Sequence, residues 1–165
     1  RRLWLDDDGQ LQLTPVTRKL TDRLLERAAW LKPQAEAEGM AIEINPSQPY
    51  TCVGDPFRLA QVFTILMENA LRYAAEGARL EVNVRKLAGG IEIAFRDFGP
   101  GVTAGFLTDM FERFTRAESS RARDSGGSGL GLSIARAICV AHGGTIRATL
   151  PDSGGLQISV FLPDA

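Results

Sequence analysis

Four short groups of residues could do chemistry. The first is Glu68-Asn69-Ala70-Leu71-Arg72-Tyr73, in which Asn69, Arg72 and Tyr73 stand three and four apart and so share a face if the segment is helical. An asparagine on the inner side of an apolar helix is costly unless its amide finds a partner. Its carboxamide oxygen could serve a hard cation such as Mg²⁺ or cap a neighbouring loop, and the residue types leave both readings open. The second group, Asp97-Phe98-Gly99-Pro100-Gly101, puts a carboxylate where it could accept a hydrogen bond from an exocyclic amine. Gly99 and Gly101 would let a flat ring approach the backbone, though the same string is also ordinary turn chemistry. In the third, Phe111-Glu112-Arg113-Phe114-Thr115-Arg116, two phenylalanines could anchor a lid from which Arg113 or Arg116 reaches a terminal phosphate. A solvated charged turn is its plain alternative. The fourth, Gly126-Gly127-Ser128-Gly129-Leu130-Gly131-Leu132, places free amides and glycines where a helix begins, which makes an anion site or a simple hinge.

Three better-known signatures are absent. None of the three lysines, Lys19, Lys32 and Lys86, follows a glycine, so there is no Walker A loop. The Gly127–Gly131 string follows a long irregular stretch rather than the strand a dinucleotide fingerprint needs. Asp97-Phe98-Gly99 imitates the metal-binding triplet of eukaryotic-type protein kinases, but no His-Arg-Asp loop or strand lysine accompanies it. His142 is the sole histidine, which removes multi-histidine metal sites. Its place before Gly143-Gly144 assigns it to capping or packing. Cys52 and Cys139 are too few for a disulfide framework and read as buried or half-buried thiols of a reducing compartment.

The elements that must position these groups can be read from periodicity. Thr17 to about Glu38 repeats apolar residues at helical spacing, with Pro33 expected to kink or shorten the helix. Ala41–Ile44 alternates as a short strand, followed by a proline-rich loop through Pro46 and Pro49. Asp55-Pro56 is a strong helix start, and Leu59, Val62, Phe63, Leu66 and Ala70 mark the inward face up to Tyr73. Leu80–Arg85 and Ile91–Asp97 form a hairpin about Gly89-Gly90. Residues 98–128 lack periodicity and read as functional or mobile. Gly129–His142 is apolar nearly all round and so is expected to be a buried helix. Thr145–Leu150 and Leu156–Leu162 close the chain as a second hairpin. Helices mixed with hairpins predict an α/β two-layer sandwich, with helices on one face of a mixed, mostly antiparallel sheet. At 165 residues this is a single domain with at most a short appendage. The balance of 19 basic and 20 acidic side chains argues against a nucleic-acid partner, and no apolar run nears the roughly 20 residues of a membrane span.

Taken together and in this order, the four groups resemble the nucleotide-binding boxes of bacterial sensor histidine kinases, whose catalytic domain shares a superfamily with gyrase B, Hsp90 and MutL. Asn69 matches the N box, Asp97, Gly99 and Gly101 the G1 box, Phe111–Phe114 the F box, and Gly127, Gly129 and Gly131 the G2 box. The likeness runs from about Asp55 to Pro163. It extends more weakly to Leu11–Ala37, which looks like the entry strand and first helix of such domains. The resemblance implies an ATP-binding catalytic domain over 11–165 with an ATP lid at about 98–128. Residues 1–10 would be the stub of a linker from missing dimerisation helices, in keeping with a start that lacks Met. Asp97 would hold the adenine amine, Tyr73 and Arg72 would line the nucleotide site, and Asn69 would hold Mg²⁺. Arg113 and Arg116 would approach the γ-phosphate, and the backbone of Ser128, Gly129, Leu130, Gly131 and Leu132 would cradle phosphate. The implied activity is phosphoryl transfer from ATP to a histidine on the parent protein's dimerisation domain, and onward to a response regulator. By the same resemblance the domain is cytoplasmic and monomeric by itself, while the parent is a homodimer and an inner-membrane sensor.

Two departures qualify the match. The family usually carries a second Asn four residues before Asn69, where this chain has Ile65, and the hydrolytic relatives place a glutamate at that turn. Ile65 can neither bind metal nor activate water, which leaves Glu68 as a further candidate ligand or base. There is also no phosphoacceptor box, so the acceptor histidine must lie elsewhere. A stand-alone serine kinase of the anti-sigma-factor type and a non-catalytic nucleotide-binding regulatory module are the alternatives.

Overall fold

The computed structural model describes residues 13, 16–46, 50–112 and 131–164. Five strands form the main sheet in the order β2-β4-β5-β7-β6, from β2 (Ala41–Pro46), β4 (Arg79–Leu87), β5 (Gly90–Asp97), β6 (Thr145–Thr149) and β7 (Gln157–Pro163). Only β2 and β4 run parallel; the other pairs are antiparallel, as expected for a mixed sheet. A separate ribbon pairs β1 (Val16–Lys19) with β3 (Thr51–Gly54). The helices are α1 (Leu20–Ala37), α2 (Pro56–Tyr73), α3 (Ala104–Asp109) and α4 (Gly131–Ala141).

Alternation along the strands explains the layering. Leu80, Val82, Val84, Ile93, Phe95, Ile158, Val160 and Leu162 are buried on one face against Leu24, Leu31, Phe63, Leu66, Met67 and Ile138 of the helices. The opposite face carries Glu81, Asn83, Arg85, Glu92 and Arg96, with Arg85 and Glu92 paired across strands at 2.8 Å. The chain is therefore the two-layer α/β sandwich its pattern predicts. Burial of each large inward side chain contributes up to about 1.5–3 kcal/mol.

α2 is the central helix, packed between α1 and α4. It begins where Asp55-Pro56 predicts: Asp55 Oδ1 accepts from the N–H groups of Phe57 and Arg58 at 3.0 and 3.1 Å, a cap that contributes about 1 kcal/mol. His142 ties that start to the end of α4. Its Nε2 accepts from the Asp55 N–H at 3.0 Å, so Nδ1 carries the proton it donates to the Ile138 carbonyl at 2.8 Å. The capping and packing role expected for the only histidine is what the structure shows.

Several expectations need correction. α1 starts at Leu20, not Thr17, because Val16–Lys19 is drawn into the ribbon with β3, a strand that periodicity missed. Pro33 does not shorten α1: it lies inside the helix, which continues past it to Ala37. Residues 98–128 are not devoid of regular structure: Thr103 caps α3 by accepting from the Phe106 N–H at 3.1 Å, and Phe106, Leu107, Met110 and Phe111 pack on the core. The helix expected to be buried all round hides only Ala135, Ile138 and Cys139, while Val140 is 58% exposed. A single face of α4 meets α2, and its other side is left to solvent. Cys139 is buried and its thiol is pushed up to about 12 by loss of hydration; Cys52 is half-buried and raised for the same reason.

Candidate functional site

Asp97 ends the central strand β5 on its inner face, opposite Leu80. It is buried, and its Oδ1 accepts from the N–H groups of Gly99 and Leu156, each at 3.1 Å. Its own N–H donates to the Leu156 carbonyl at 3.0 Å. Oδ2 takes no hydrogen bond from the described residues, so one carboxylate oxygen is held while the other remains for a donor. Burial raises the Asp97 carboxyl above the 3.8 of an unperturbed aspartate; the Gly99 and Leu156 amides and the nearby Arg96 charge oppose that shift.

The turn beyond Asp97 is built by exclusion of side chains. A Cβ on Gly99 would lie 2.7 Å from the Cβ of Ala74, just past the end of α2. Gly77, in a short 3-10 turn at Ala75–Gly77, abuts the Phe98 carbonyl, and Gly155 abuts the Asp97 carbonyl. Gly101 and Gly155 both have left-handed φ, +75° and +78°, which glycine alone adopts without strain. The Asp97–Gly101 turn is thereby pressed between the end of α2 and the β6–β7 turn. Of these contributors, Ala74, Gly77, Gly155 and Leu156 were missed by sequence reasoning. The signal available was the Gly154-Gly155 doublet between the two strands of the second hairpin.

Along α2, the positions left at the border of the core are Gln61, Thr64, Ile65, Glu68, Asn69 and Tyr73, with Arg72 exposed. Asn69 is half-buried, and its amide makes no hydrogen bond to the described residues. Ile65, one turn earlier, faces α4: a Cβ on Gly131 would lie 3.6 Å from Ile65 Cγ2. The structure thus sets Gly131 beside Ile65 on α2, and Gly99 beside the residue that follows Tyr73. Leu132 is half-buried against the core. Arg113, Phe114, Arg116, Ser128, Gly129 and Leu130 lie outside the described residues. No group of three or more His, Cys, Asp or Glu among the described residues could hold a metal ion. A cation here would draw on the Asn69 oxygen and take its remaining ligands from phosphate and water. That suits Mg²⁺, which commonly keeps several waters and few protein ligands.

Comparison with known proteins follows the same outline. The model of the histidine kinase-, DNA gyrase B-, and HSP90-like ATPase family matches residues 54–165. The chain is 36% identical over 162 residues to the signal transduction histidine-protein kinase BaeS of Escherichia coli (strain K12), covering 98% of this chain and 35% of that protein. It is 35% identical over 121 residues to the sensor protein VanS of Enterococcus faecium, covering 73% and 31%. The chain therefore spans about a third of the length of these relatives. Among solved structures, the catalytic domain of histidine kinase ThkA superposes with a TM-score of 0.81 at 19% identity over 92% of this chain and 96% of that one. The mycobacterial sensor histidine kinase MprB gives 0.78 at 24% identity, over 91% and 97%.

Proposed function

Because the chain belongs to the histidine kinase-, DNA gyrase B- and HSP90-like ATPase family, we propose that it binds ATP with Mg²⁺ and donates the γ-phosphoryl group to a histidine on the dimerisation domain of its parent sensor kinase. The observation that carries this reading is Asp97, a buried carboxylate with one oxygen fixed by two backbone amides and the other unengaged by the described residues. An adenine amine is a donor of the right kind for that oxygen. A neutral pocket group would select it less well, because an ionised acceptor forms the stronger bond.

Transfer breaks the bond between the γ-phosphorus and its bridging oxygen and forms a bond from phosphorus to an imidazole nitrogen, with ADP leaving. Such chemistry asks for positioning and charge neutralisation more than for covalent help. Asn69 would supply the protein's oxygen to Mg²⁺, which when bound offsets phosphate charge. The N-terminal amides of α4 around Gly131 and Leu132 favour an anion, and Glu68, half-buried on α2, is the further candidate ligand or base. Arg113 and Arg116 are assigned to the γ-phosphate by the family resemblance. The acceptor histidine would come from the dimerisation domain of the parent, taken to be a homodimer that serves a response regulator in two-component signalling. His142 is committed to the α2–α4 link and is not that acceptor. The cytoplasmic placement of the domain rests on its likeness to sensor kinases; no helix among the described residues is long and apolar enough to cross a membrane.

A non-catalytic nucleotide-binding module is the second reading, and Ile65 favours it: the position nearest Gly131 offers a methyl group where the family usually offers an amide. One experiment separates the two. ATP is titrated with and without Mg²⁺, and a separately made histidine-bearing dimerisation fragment is then added. Binding with labelled phosphate appearing on the fragment supports the kinase, and binding without transfer supports the module. Absence of binding at about 1 mM ATP, the upper end of usual KM values, sinks both.

A further inference from the structure

Two residues that flank Asp97 are left unused by the reading above, and they meet on the helix-free side of the sheet. The guanidinium carbons of Arg79 and Arg96 stand 4.1 and 4.5 Å from the centroid of the Phe98 ring. Arg96 also donates through one terminal nitrogen to Ser153 Oγ at 2.7 Å and to the Gly154 carbonyl at 3.0 Å, both in the β6–β7 turn. Its Nε is buried without a hydrogen-bond partner among the described residues, so the ring and that turn are what hold it. Arg79 is further held by Glu81 at 3.2 Å, the cross-strand neighbour of Arg96. The ring therefore gathers the start of β4, the end of β5 and the β6–β7 turn. The same turn leads, two residues after Gly154, into the Leu156 N–H that fixes Asp97 Oδ1.

We propose that Phe98, gripped by Arg79 and Arg96, is a positioning residue that aims the Asp97 carboxylate at an exocyclic amine, which makes the β6–β7 turn a specificity element of the nucleotide pocket. The inference rests on the reading of Asp97 as the adenine acceptor. Its physical basis is the ring quadrupole, which attracts both guanidinium groups at once. Without the ring two like charges lose their common partner, Arg96 loses half of its anchorage, and the Leu156 donor is free to drift from Asp97.

Equilibrium titration of the 165-residue chain with ATP, and with the triphosphate of purine riboside, which lacks the 6-amino group, reads this as a ratio of affinities. The natural sequence is expected to favour ATP by about tenfold or more, the worth of one hydrogen bond to a charged acceptor. Phe98→Leu should bring that preference down to about threefold or less while leaving affinity for the amine-free analogue nearly unchanged. Phe98→Trp, which keeps an aromatic face, should retain it. Arg96→Met tests the same link independently should Phe98→Leu fail to fold, and should behave as Phe98→Leu does. The proposal is overturned if folded Phe98→Leu and Arg96→Met keep the full preference, or if they weaken both nucleotides equally, as a merely structural role would. Asp97→Asn is the control. If it retains the preference, or if the natural sequence shows none, the adenine assignment itself has failed and this inference fails with it.

Discussion

The two ends of the bordering stripe on α2 are built in contrasting ways. At its C-terminal end the Asp97–Gly101 turn is pinned by backbone. Two amides hold Asp97 Oδ1, a strand-type bond joins Asp97 to Leu156, and Gly77, Gly99 and Gly155 each leave no room for a Cβ. Toward the middle of the helix, where Asn69 and Ile65 lie opposite Gly131 of α4, side chains are half-buried, the Asn69 amide makes no bond to the described residues, and a Cβ on Gly131 would meet Ile65 only at an ordinary 3.6 Å. The contrast suits a division of labour. An end that recognises a planar base gains from a rigid, dry acceptor, because pre-set geometry costs nothing at the moment of binding. An end that handles phosphate and a hydrated cation gains from room for water and for the groups that move during transfer.

Substitutions at the two ends should differ accordingly. The largest effect is expected for Gly155→Ala, which puts a Cβ against the Asp97 carbonyl at φ +78°. A loss of more than about 2 kcal/mol of stability is expected, read as a fall of roughly 5 °C or more in Tm together with lost ATP affinity. Normal melting would show that the turn is not pinned as described.

Next comes Asp97→Asn. An amide oxygen can still accept from Gly99 and Leu156, but an adenine amine loses its ionised partner, so ATP affinity should fall about tenfold or more. The sign for stability is opposite. Because burial raises the folded carboxyl above 3.8, its stabilising contribution is full below that pH and is lost as pH rises through the folded value. The Asn variant, which does not titrate, should therefore melt at or above the natural sequence near neutrality, and the gap should narrow as pH falls toward 4. A variant that melts well below the natural sequence at pH 7 would contradict this account of Asp97.

Ile65→Asn tests the other end. Restoring an amide beside Asn69 should raise ATP affinity several-fold in Mg²⁺ and leave it unchanged in chelator, with a loss of about 1 kcal/mol from the packing of Ile65 against the core. Equal gains in both conditions would mean the residue does not act through metal. The smallest effect is expected for Gly131→Ala, where a Cβ meets only Ile65 Cγ2 at 3.6 Å. Helix propensity predicts a gain of up to about 0.5–1 kcal/mol, visible as a small rise in Tm. A large loss there would erase the contrast between the two ends.

How much of this was legible depends on whether the cause is local. The helix start at Asp55-Pro56, the inward face of α2, both hairpins and the one-sided layering follow from capping and from periods of 3.6 and 2, which are properties of neighbouring residues. The ribbon of β1 and β3 was not legible, since four-residue strands carry too little alternation and exist only because each pairs with the other, from Val16 opposite Gly54 to Lys19 opposite Thr51, far apart along the chain. The same limit applies at the site. Asp97, Gly99, Gly101 and Asn69 are readable as residue types suited to a nucleotide. Their partners Ala74, Gly77, Gly155 and Leu156 look like unremarkable helix-end and turn residues until the fold brings them together.

Taken alone, the sequence determined the layered α/β architecture, the order of the four chemical groups and the lack of a second asparagine at Ile65, because each is a matter of residue identity and spacing. Tertiary structure alone decided that Asp97 is a buried acceptor with one oxygen committed and the other unengaged by the described residues. It also decided that His142 is spent on joining α2 to α4, and that Phe98 is held by two arginines. The reason is common to all three: a carboxylate, an imidazole or a ring acquires its role from the donors and charges around it, and those come from segments far away along the chain.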